Sequence, residues 1–234
     1  MTVWAIVGAG GIGKRMGAGK NKVLLKVAGK EVLAHTLQVF EGTRVVDKVL
    51  LVIHPDNAME AQKLVKKYAF KKVHAIVQGG RERQDSVWNG LQKARELGAE
   101  KGDFLCIHNG ANPLVQPAEI KACLDAARET KAAVLGFKVK DTLRRVSENL
   151  VSLGTVDRKG LWAMQTPQCI EFSLAWNAFE NAMKEGFYGT DDVQLVERMG
   201  HPVRVVECGY ENIKLTTPED LRIAEGIFKQ RAKK

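Results

Sequence analysis

The sequence predicts an α/β fold in which a mostly parallel sheet lies between two layers of helices. Short β-branched apolar runs alternate with longer stretches that have helical spacing. The runs are apolar at nearly every position, as in strands that are buried on both faces. The 234 residues, 45% of them hydrophobic, are enough to build a full core. We therefore expect one domain over residues 1–234, with a Rossmann-like sheet.

The predicted strands and helices alternate along the chain. Strands are expected at residues 3–7, 49–53, 73–77, 104–107, 133–137 and 203–206. Helices are expected at residues 31–40, 57–68, 85–97, 118–129, 171–184 and 192–199. A final helix is expected to begin after Thr217. This threonine can cap the helix, a proline follows it at the first helical position, and an acid lies three residues after it.

Residues 139–157 interrupt this alternation. They show the apolar–polar alternation of strands, no helical spacing, and a polar turn at residues 147–149. We predict a β-hairpin that protrudes from the domain as an arm over residues 138–160.

The charge of the chain is its least ordinary property. The sequence has 36 Lys and Arg against 27 Asp and Glu, a formal net charge of +9. Such an excess favours nucleic acid, an anionic membrane surface or small phosphorylated ligands as partners. Aromatic residues are only 6% of the chain and do not interleave with the basic ones, so no RNA-binding signature is present. A non-catalytic nucleic-acid-binding protein nevertheless stays open as an alternative.

The cellular location is predicted from what the sequence lacks. It has no apolar run near the ~20 residues of a membrane span, and no basic segment precedes its first apolar run as in a signal peptide. Four cysteines lie far apart without a C-x-x-C pair, which is typical of reduced, buried thiols: Cys106, Cys123, Cys169 and Cys208. We expect a cytoplasmic protein without a membrane partner.

A glycine loop directly follows the first predicted strand. Gly8, Gly10 and Gly13 satisfy the G-x-G-x-x-G pattern of dinucleotide sites. That pattern requires a helix to begin at the loop and an acid about 20 residues further on. Gly17 and Gly19 disfavour such a helix, and no acid ends a second strand at the required place. A dinucleotide-binding oxidoreductase is therefore disfavoured.

The same loop also matches a P-loop up to its last letter. Gly8, Gly13 and Lys14 have the required spacing, but Arg15 stands where a serine or threonine would hold Mg²⁺. Because arginine cannot ligate a cation, a P-loop NTPase is disfavoured as well.

A third interpretation uses the charges that follow the loop. Between residues 14 and 30 the chain contains six basic residues and no acid: Lys14, Arg15, Lys20, Lys22, Lys26 and Lys30. Backbone N–H groups of a glycine loop and nearby cations can together hold a triphosphate. The pattern favours a nucleotide site at the carboxyl end of the first strand.

Six short blocks lie in one order along nearly the whole chain. They are AGGIGKRM at 9–16 with NK at 21–22, GGRERQDSV at 79–87, DT at 141–142 with DR at 157–158, GLW at 160–162 with QTPQ at 165–168, TDD at 190–192, and NIKLT at 212–216. In this order they resemble the 2-C-methyl-D-erythritol 4-phosphate cytidylyltransferase family of isoprenoid precursor synthesis. The resemblance implies a sheet of the nucleotide-diphospho-sugar transferase type and a homodimer joined through the arm.

The resemblance also implies a role for each matched residue. The CTP-binding residues would be Ala9, Gly10, Gly11, Gly13, Met16, Gly80, Ser86, Asn109 and Gly110, with Gly80 and Ser86 at the cytosine. The catalytic cations would be Arg15, Lys22 and Lys214. The phosphorylated sugar alcohol would be held by Thr190 and Lys214 of one subunit and by Thr142 and Arg158 of the partner's arm. Mg²⁺ or another divalent cation would be the cofactor.

One block departs from the family pattern. Residues 108–113 read HNGANP where the family has H-D-A-A-R-P, so Asn109 replaces the expected metal-ligating Asp and Asn112 replaces an Arg expected at the second substrate. A neutral amide should hold Mg²⁺ less well than a carboxylate. Asp191 or Asp192 could compensate, although an acid pair there is also typical of a capped helix start. A ribitol 5-phosphate cytidylyltransferase or a catalytically altered family member stays open.

Overall fold

The computed structural model describes residues 1–11 and 21–233. The strands of this part are β1 (Val3–Ala9), β2 (Lys26–Val27), β3 (Lys30–Glu31), β4 (Lys48–Ile53), β5 (Val73–Gln78), β6 (Phe104–Asn109), β7 (Ala132–Lys138), β8 (Leu143–Val146), β9 (Ser152–Val156), β10 (Trp162–Glu171) and β11 (Arg204–Glu207). Its α-helices are α1 (Val32–Gly42), α2 (Ala58–Lys67), α3 (Arg83–Glu96), α4 (Pro117–Thr130), α5 (Phe172–Glu185), α6 (Asp192–Arg198) and α7 (Pro218–Arg231).

Seven of the described strands form one sheet, in the order β11-β7-β10-β6-β1-β4-β5. Neighbouring strands run parallel except at β10, which is antiparallel to both β6 and β7. The predicted mostly parallel sheet between helices is therefore confirmed.

The two faces of the sheet are covered by different helices. Along β1, Val3, Ala5 and Val7 pack into a core that includes the apolar faces of α1, α2 and α4. The alternate residues Trp4 and Ile6 pack into a second core with α3, α5 and α6. Because side chains on a strand alternate between faces, a run that is apolar at every position supplies both cores.

The strand β10 is the one strand of the seven-stranded sheet that the sequence patterns did not predict. Its register against β7 shifts between Met164 and Gln168, where the strand passes through Thr166 and Pro167. The middle of β10 consists of two glutamines, a threonine and a proline. It therefore shows neither the apolar run nor the alternation by which strands are recognised in a sequence. Tertiary pairing with β6 and β7 on both sides decides the conformation here.

The predicted arm is present as a hairpin. The strands β8 and β9 pair only with each other, in an antiparallel two-stranded ribbon. Its apolar side chains are largely uncovered: Leu150 is 86% exposed, Leu153 65% and Val151 61%. The hairpin therefore carries an apolar surface that the described residues of this chain do not cover.

Helix starts follow the expected cap chemistry. At α7, the Thr217 side chain accepts a hydrogen bond from the Asp220 N–H, and the Asp220 carboxylate accepts one from the Thr217 N–H at 2.8 Å. Pro218 occupies the first helical position, where no hydrogen-bonding N–H is needed. No helix among the described residues is long and apolar enough to cross a membrane.

Candidate active site

The order in which successive strands are added to the sheet reverses between β1 and β6. The chain passes from β1 through β4 to β5 on one side, then crosses back through α3 to β6 on the other side of β1. Such a point leaves a crevice at the carboxyl ends of the strands, where open α/β sheets bind ligands. Gly8, the residue before the end of β1, and Asn109, the last residue of β6, are register partners.

A cavity of about 270 Å³ lies at this point. Its walls come from the end of β1, the loop into α3, and the end of β6, with further residues from two loops. The lining residues are Gly8, Ala9, Gly10, Gly11, Lys22, Val23, Gly80, Arg81, Glu82, Arg83, Ser86, Val87, Ile107, His108, Asn109, Ala111 and Lys214. Glycines, cations and a few apolar side chains thus share one cavity, as in sites for a small charged ligand.

The loop into α3 is held by Ser86. The Gly80 N–H donates to Ser86 Oγ at 3.0 Å, and this hydroxyl donates to the Glu82 carbonyl at 3.0 Å. A Cβ at Gly80 would lie 2.3 Å from Asp85 Cβ, so the loop requires glycine there. Gly10 faces the same hydroxyl, since its own Cβ would lie 3.4 Å from Ser86 Oγ.

Two hydrogen bonds to backbone carbonyls lie next to the predicted lysines Lys22 and Lys214. The buried Asn21 side chain donates to the Ala9 carbonyl at 3.3 Å, which brings Lys22 against the end of β1. The Leu215 N–H donates to the Ala111 carbonyl at 2.8 Å, which brings Lys214 to the β6 side. Both predicted lysines therefore line the cavity, although 192 positions separate them in sequence.

The described members of the basic run after the glycine loop do not all lie at the cavity. Of its described members, Lys22 lines the cavity, whereas Lys26 is exposed and does not. Lys30 hydrogen-bonds Gln38 and lies over the Tyr68 ring at 5.2 Å. The expected residues Gly13, Arg15 and Met16, with Lys14 and Lys20, lie outside the described residues.

An arginine that the sequence analysis did not single out organises the β6 side. The Arg83 guanidinium donates to both Asp192 carboxylate oxygens, at 2.7 and 2.6 Å. Asp192 is 1% exposed, so this charge is neutralised inside the protein. The third nitrogen of this guanidinium, Arg83 Nε, lies 3.5 Å from Asn109 Oδ1. The signal was in the sequence, because Arg83 is one of the two arginines of the 79–87 block.

The neighbouring acid Asp191 has a different task. Its Oδ1 accepts from the Gln194 N–H at 3.0 Å and so caps α6, while Oδ2 accepts from Gln168 Nε2 at 2.9 Å. Gln168 Oε1 in turn accepts from the Asp192 and Val193 N–H groups. The capped helix start is thus what the structure shows for the 190–192 block.

A buried polar network lies behind Asn109. Asn112 is 1% exposed, and its amide donates to the Asn212 carbonyl at 3.3 Å. The Asn212 amide donates to the Thr166 carbonyl at 2.8 Å. His108 Nε2 lies 3.0 Å from the Asn112 carbonyl oxygen, and complete burial lowers the pKa of this imidazole to about 4. Asn112 is thus a core residue here and not a cavity residue.

Four of the expected site residues do not line the cavity. Gly110 is buried behind the end of β1, where its N–H donates to the Gly8 carbonyl at 2.8 Å. Thr190 is exposed and bonds Gln194 Oε1 from its N–H at 2.7 Å. Thr142 and Arg158 are exposed at the base of the arm, and Arg158 donates to the Lys140 carbonyl. A second depression there is lined by Arg158, Lys159, Leu161 and Trp162 among others.

The described residues do not fit a metal ion held by the protein. No group of three His, Cys, Asp or Glu in residues 1–11 and 21–233 is arranged to hold one. Asp191 and Asp192 are committed to the α6 cap and to Arg83. Asn109 Oδ1 lies beside the Arg83 guanidinium, which disfavours a second cation at that oxygen. Both acids therefore already have protein partners in this structure.

Fold and cavity together define a class of protein. A mostly parallel sheet with a cavity at its switch point, lined by glycines and by the cations Lys22 and Lys214, is typical of α/β proteins that bind a phosphorylated nucleotide.

Comparisons with known proteins identify the family. The family model described as IspD, 2-C-methyl-D-erythritol 4-phosphate cytidylyltransferase, matches residues 3–230. The chain is 44% identical over 231 residues to the protein of that name from Geobacillus thermodenitrificans, with 99% of both chains covered. The chain belongs to the 2-C-methyl-D-erythritol 4-phosphate cytidylyltransferase family.

Solved structures agree with this assignment. The fold is similar to that of 2-C-methyl-D-erythritol 4-phosphate cytidylyltransferase from Thermus thermophilus, with a TM-score of 0.79, 30% identity, and 98% and 100% of the two chains covered. It is also similar to 4-diphosphocytidyl-2C-methyl-D-erythritolsynthase from Anaerococcus prevotii, with a TM-score of 0.82, 27% identity, and 97% and 96% covered. The fold class predicted from the sequence is therefore that of the relatives.

Proposed function

We propose that this protein is a cytidylyltransferase that joins CMP from CTP to 2-C-methyl-D-erythritol 4-phosphate and releases pyrophosphate, in isoprenoid precursor synthesis. The observation that carries the proposal is the cavity at the β1–β6 switch point, in a chain that matches this family over residues 3–230. It brings the Gly80–Ser86 loop and both described site lysines to one place.

The reaction requires that the two substrates are positioned and that their negative charge is neutralised. A phosphate oxygen of the sugar alcohol attacks the α-phosphorus of CTP and forms a new P–O bond. The bond from that phosphorus to the bridging oxygen breaks, and its electron pair leaves with pyrophosphate. Both reactants are anions, so Lys22 and Lys214 would lower the barrier by attracting the charge that gathers on the phosphate oxygens.

Ser86 and Gly80 would determine which base is accepted. The Ser86 hydroxyl holds the loop through hydrogen bonds to Gly80 and Glu82, so the loop backbone is fixed before a ligand arrives. Fixed backbone groups can distinguish the edge of cytosine, with its amino and carbonyl groups, from that of a purine.

The second substrate would require a partner subunit. Thr142 and Arg158 are distant in the chain from the cavity-lining residues and stand on a hairpin with an exposed apolar surface. A homodimer in which the arm of one subunit reaches the cavity of the other would bury that surface and complete the site.

The proposal also includes a divalent cation as cofactor and a cytoplasmic location. Mg²⁺ would arrive on the triphosphate and be held mainly by phosphate oxygens and water, because the described residues offer no carboxylate cluster. The four buried free cysteines suit a reducing cytoplasm.

The deciding experiment measures pyrophosphate release. Purified protein should turn over CTP with 2-C-methyl-D-erythritol 4-phosphate, and ATP, GTP and UTP should be poor donors. Ribitol 5-phosphate is the matched competing acceptor, since it has the same phosphomonoester on a different alcohol. Faster turnover with ribitol 5-phosphate would replace the proposed acceptor, and no release with any pair would contradict the enzyme activity itself.

A further inference from the structure

The amide of Asn109 has a fixed orientation in the cavity. Arg83 Nε, 3.5 Å from Asn109 Oδ1, can only donate a hydrogen bond, so the amide oxygen must face it. The opposite orientation would set an N–H₂ group against the guanidinium. On the other side, Asn109 Nδ2 lies 3.4 Å from Thr166 Oγ1, which can accept from it. Both contacts favour one rotamer.

The partners of this amide are themselves fixed. Arg83 is held by two short hydrogen bonds to the buried Asp192 carboxylate, and cannot turn away without leaving that charge unpaired. The Asn109 N–H donates to the same Thr166 hydroxyl at 3.3 Å, so the strand end and the side chain share one anchor. Asn109 is therefore a preorganised residue at the end of β6, half-buried in the cavity wall.

The result is a cavity wall that offers hydrogen-bond donors. The oxygen of Asn109 is turned towards Arg83, and its nitrogen carries two hydrogens, of which Thr166 accepts one. Lys22 and Lys214 line the same cavity, and Glu82 is the one carboxylate among its described lining residues. Donors and cations suit the oxygens of a phosphate directly, whereas a divalent cation needs oxygen acceptors.

We propose that Asn109 donates a hydrogen bond from Nδ2 directly to a phosphate oxygen of the bound nucleoside triphosphate, so that nucleotide binding does not depend on a divalent cation. This inference rests on the proposed function, because it takes CTP as the ligand. Asn109 is then a substrate-binding residue, and Arg83 and Thr166 are the residues that position it.

The test compares CTP binding with and without metal by isothermal titration calorimetry. In EDTA and in excess MgCl₂, the wild-type dissociation constants should agree within about threefold, because the amide needs no bridging cation. Asn109→Asp should weaken binding in EDTA by about tenfold or more, since a carboxylate repels the phosphates, and Mg²⁺ should recover most of the loss. Asn177→Asp, on an exposed position of α5, is the matched control and should behave as wild type in both buffers.

A second variant keeps the inference testable if Asn109→Asp does not fold. Asn109→Ala removes the donor without adding charge, so it should weaken CTP binding by about three- to tenfold, equally in both buffers. Wild-type binding that falls more than tenfold in EDTA, or an Asn109→Ala variant that binds as tightly as wild type, overturns the role of Asn109. Absence of CTP binding in both buffers overturns the proposed function as well.

Discussion

Arg83 and Asp192 form a two-hydrogen-bond ion pair that joins the start of α3 to the start of α6, across 109 positions of sequence. The pair lies where the cavity wall meets the helix layer, with Asp192 1% exposed and Arg83 about one third exposed. It fixes the geometry of the β6 side, because Asn109 takes its orientation from Arg83.

Breaking this pair should be costly to stability. Arg83→Gln leaves the Asp192 carboxylate buried without a cation, so we expect the free energy of unfolding to fall by about 3–5 kcal/mol in a urea titration. The matched control is Arg198→Gln, which breaks the exposed pair between Arg198 and Glu185 and should cost under about 1 kcal/mol. Equal losses for the two variants would show that burial of Asp192 is not what makes the pair matter.

Gly80→Ala should damage the nucleotide site. The added Cβ would lie 2.3 Å from Asp85 Cβ, so the loop must shift, and the hydrogen bond from Gly80 to Ser86 should be lost. We expect CTP affinity to fall by about tenfold and stability by about 1–3 kcal/mol. Gly42→Ala is the control, since nothing lies within 4 Å of its Cβ position. Calorimetry measures the CTP affinity, and thermal melting measures the stability. Unchanged CTP binding would show that this loop is not part of the nucleotide site.

The contribution of Lys22 can be separated from that of the general positive charge. Lys22→Gln removes a cation that lines the cavity, and Lys26→Gln removes an exposed cation four positions later. The first change should lower kcat/KM for CTP by about 10²-fold, the scale of one preorganised group at a reacting centre. The second should leave kcat/KM within about twofold, because exposed charges are screened by salt. Similar losses would mean that the whole basic run acts by long-range attraction.

Subunit mixing tests whether the arm completes a partner's site. Lys22→Gln damages the cavity and Arg158→Ala damages the arm, so each homodimer should be nearly inactive. In a heterodimer, one site combines an intact cavity with an intact arm, so random mixing after unfolding and refolding should restore about a quarter of wild-type activity. Each variant refolded alone is the control. Mixtures that stay as inactive as the separate variants would place Arg158 in its own subunit's site.

Stability should fall below neutral pH because of His108. Complete burial lowers its pKa in the folded protein to about 4, from the ordinary value of 6.5. The folded state therefore keeps His108 neutral while the unfolded chain binds a proton, so the stability present above pH 6.5 is lost as the pH falls towards 4. The difference amounts to roughly 3 kcal/mol at pH 4. His108→Asn should flatten the dependence of the urea-derived free energy on pH in this window, and an unchanged slope would contradict the assignment.

The elements of the fold were largely predictable from local patterns. The helix ending at Lys67 and the strand beginning at Val73 were located within one or two residues by spacing and composition alone. The strand β10 was not, because Gln165, Thr166 and Gln168 are polar for reasons outside the strand itself. Thr166 anchors Asn109, and Gln168 binds the start of α6.

The composition of the site was also partly visible in the sequence. The glycine loop and the 79–87 block predicted residues that the fold brings to one cavity, including Gly10, Gly80 and Ser86. The sequence also suggested that the cations of the basic run hold a triphosphate and that Asp191 or Asp192 could substitute as a metal ligand. The structure turns Lys30 towards Tyr68 and commits both acids to other partners.

The sequence by itself determined most of the strand and helix segments and which residue types are available for phosphate chemistry, because these depend on local periodicity and composition. Only the tertiary structure decided what each polar side chain does. Whether Asn109 presents an oxygen or an N–H to a ligand depends on Arg83, whose direction depends on Asp192 on another helix. That chain of contacts joins three elements that are remote in sequence, and no local pattern encodes it.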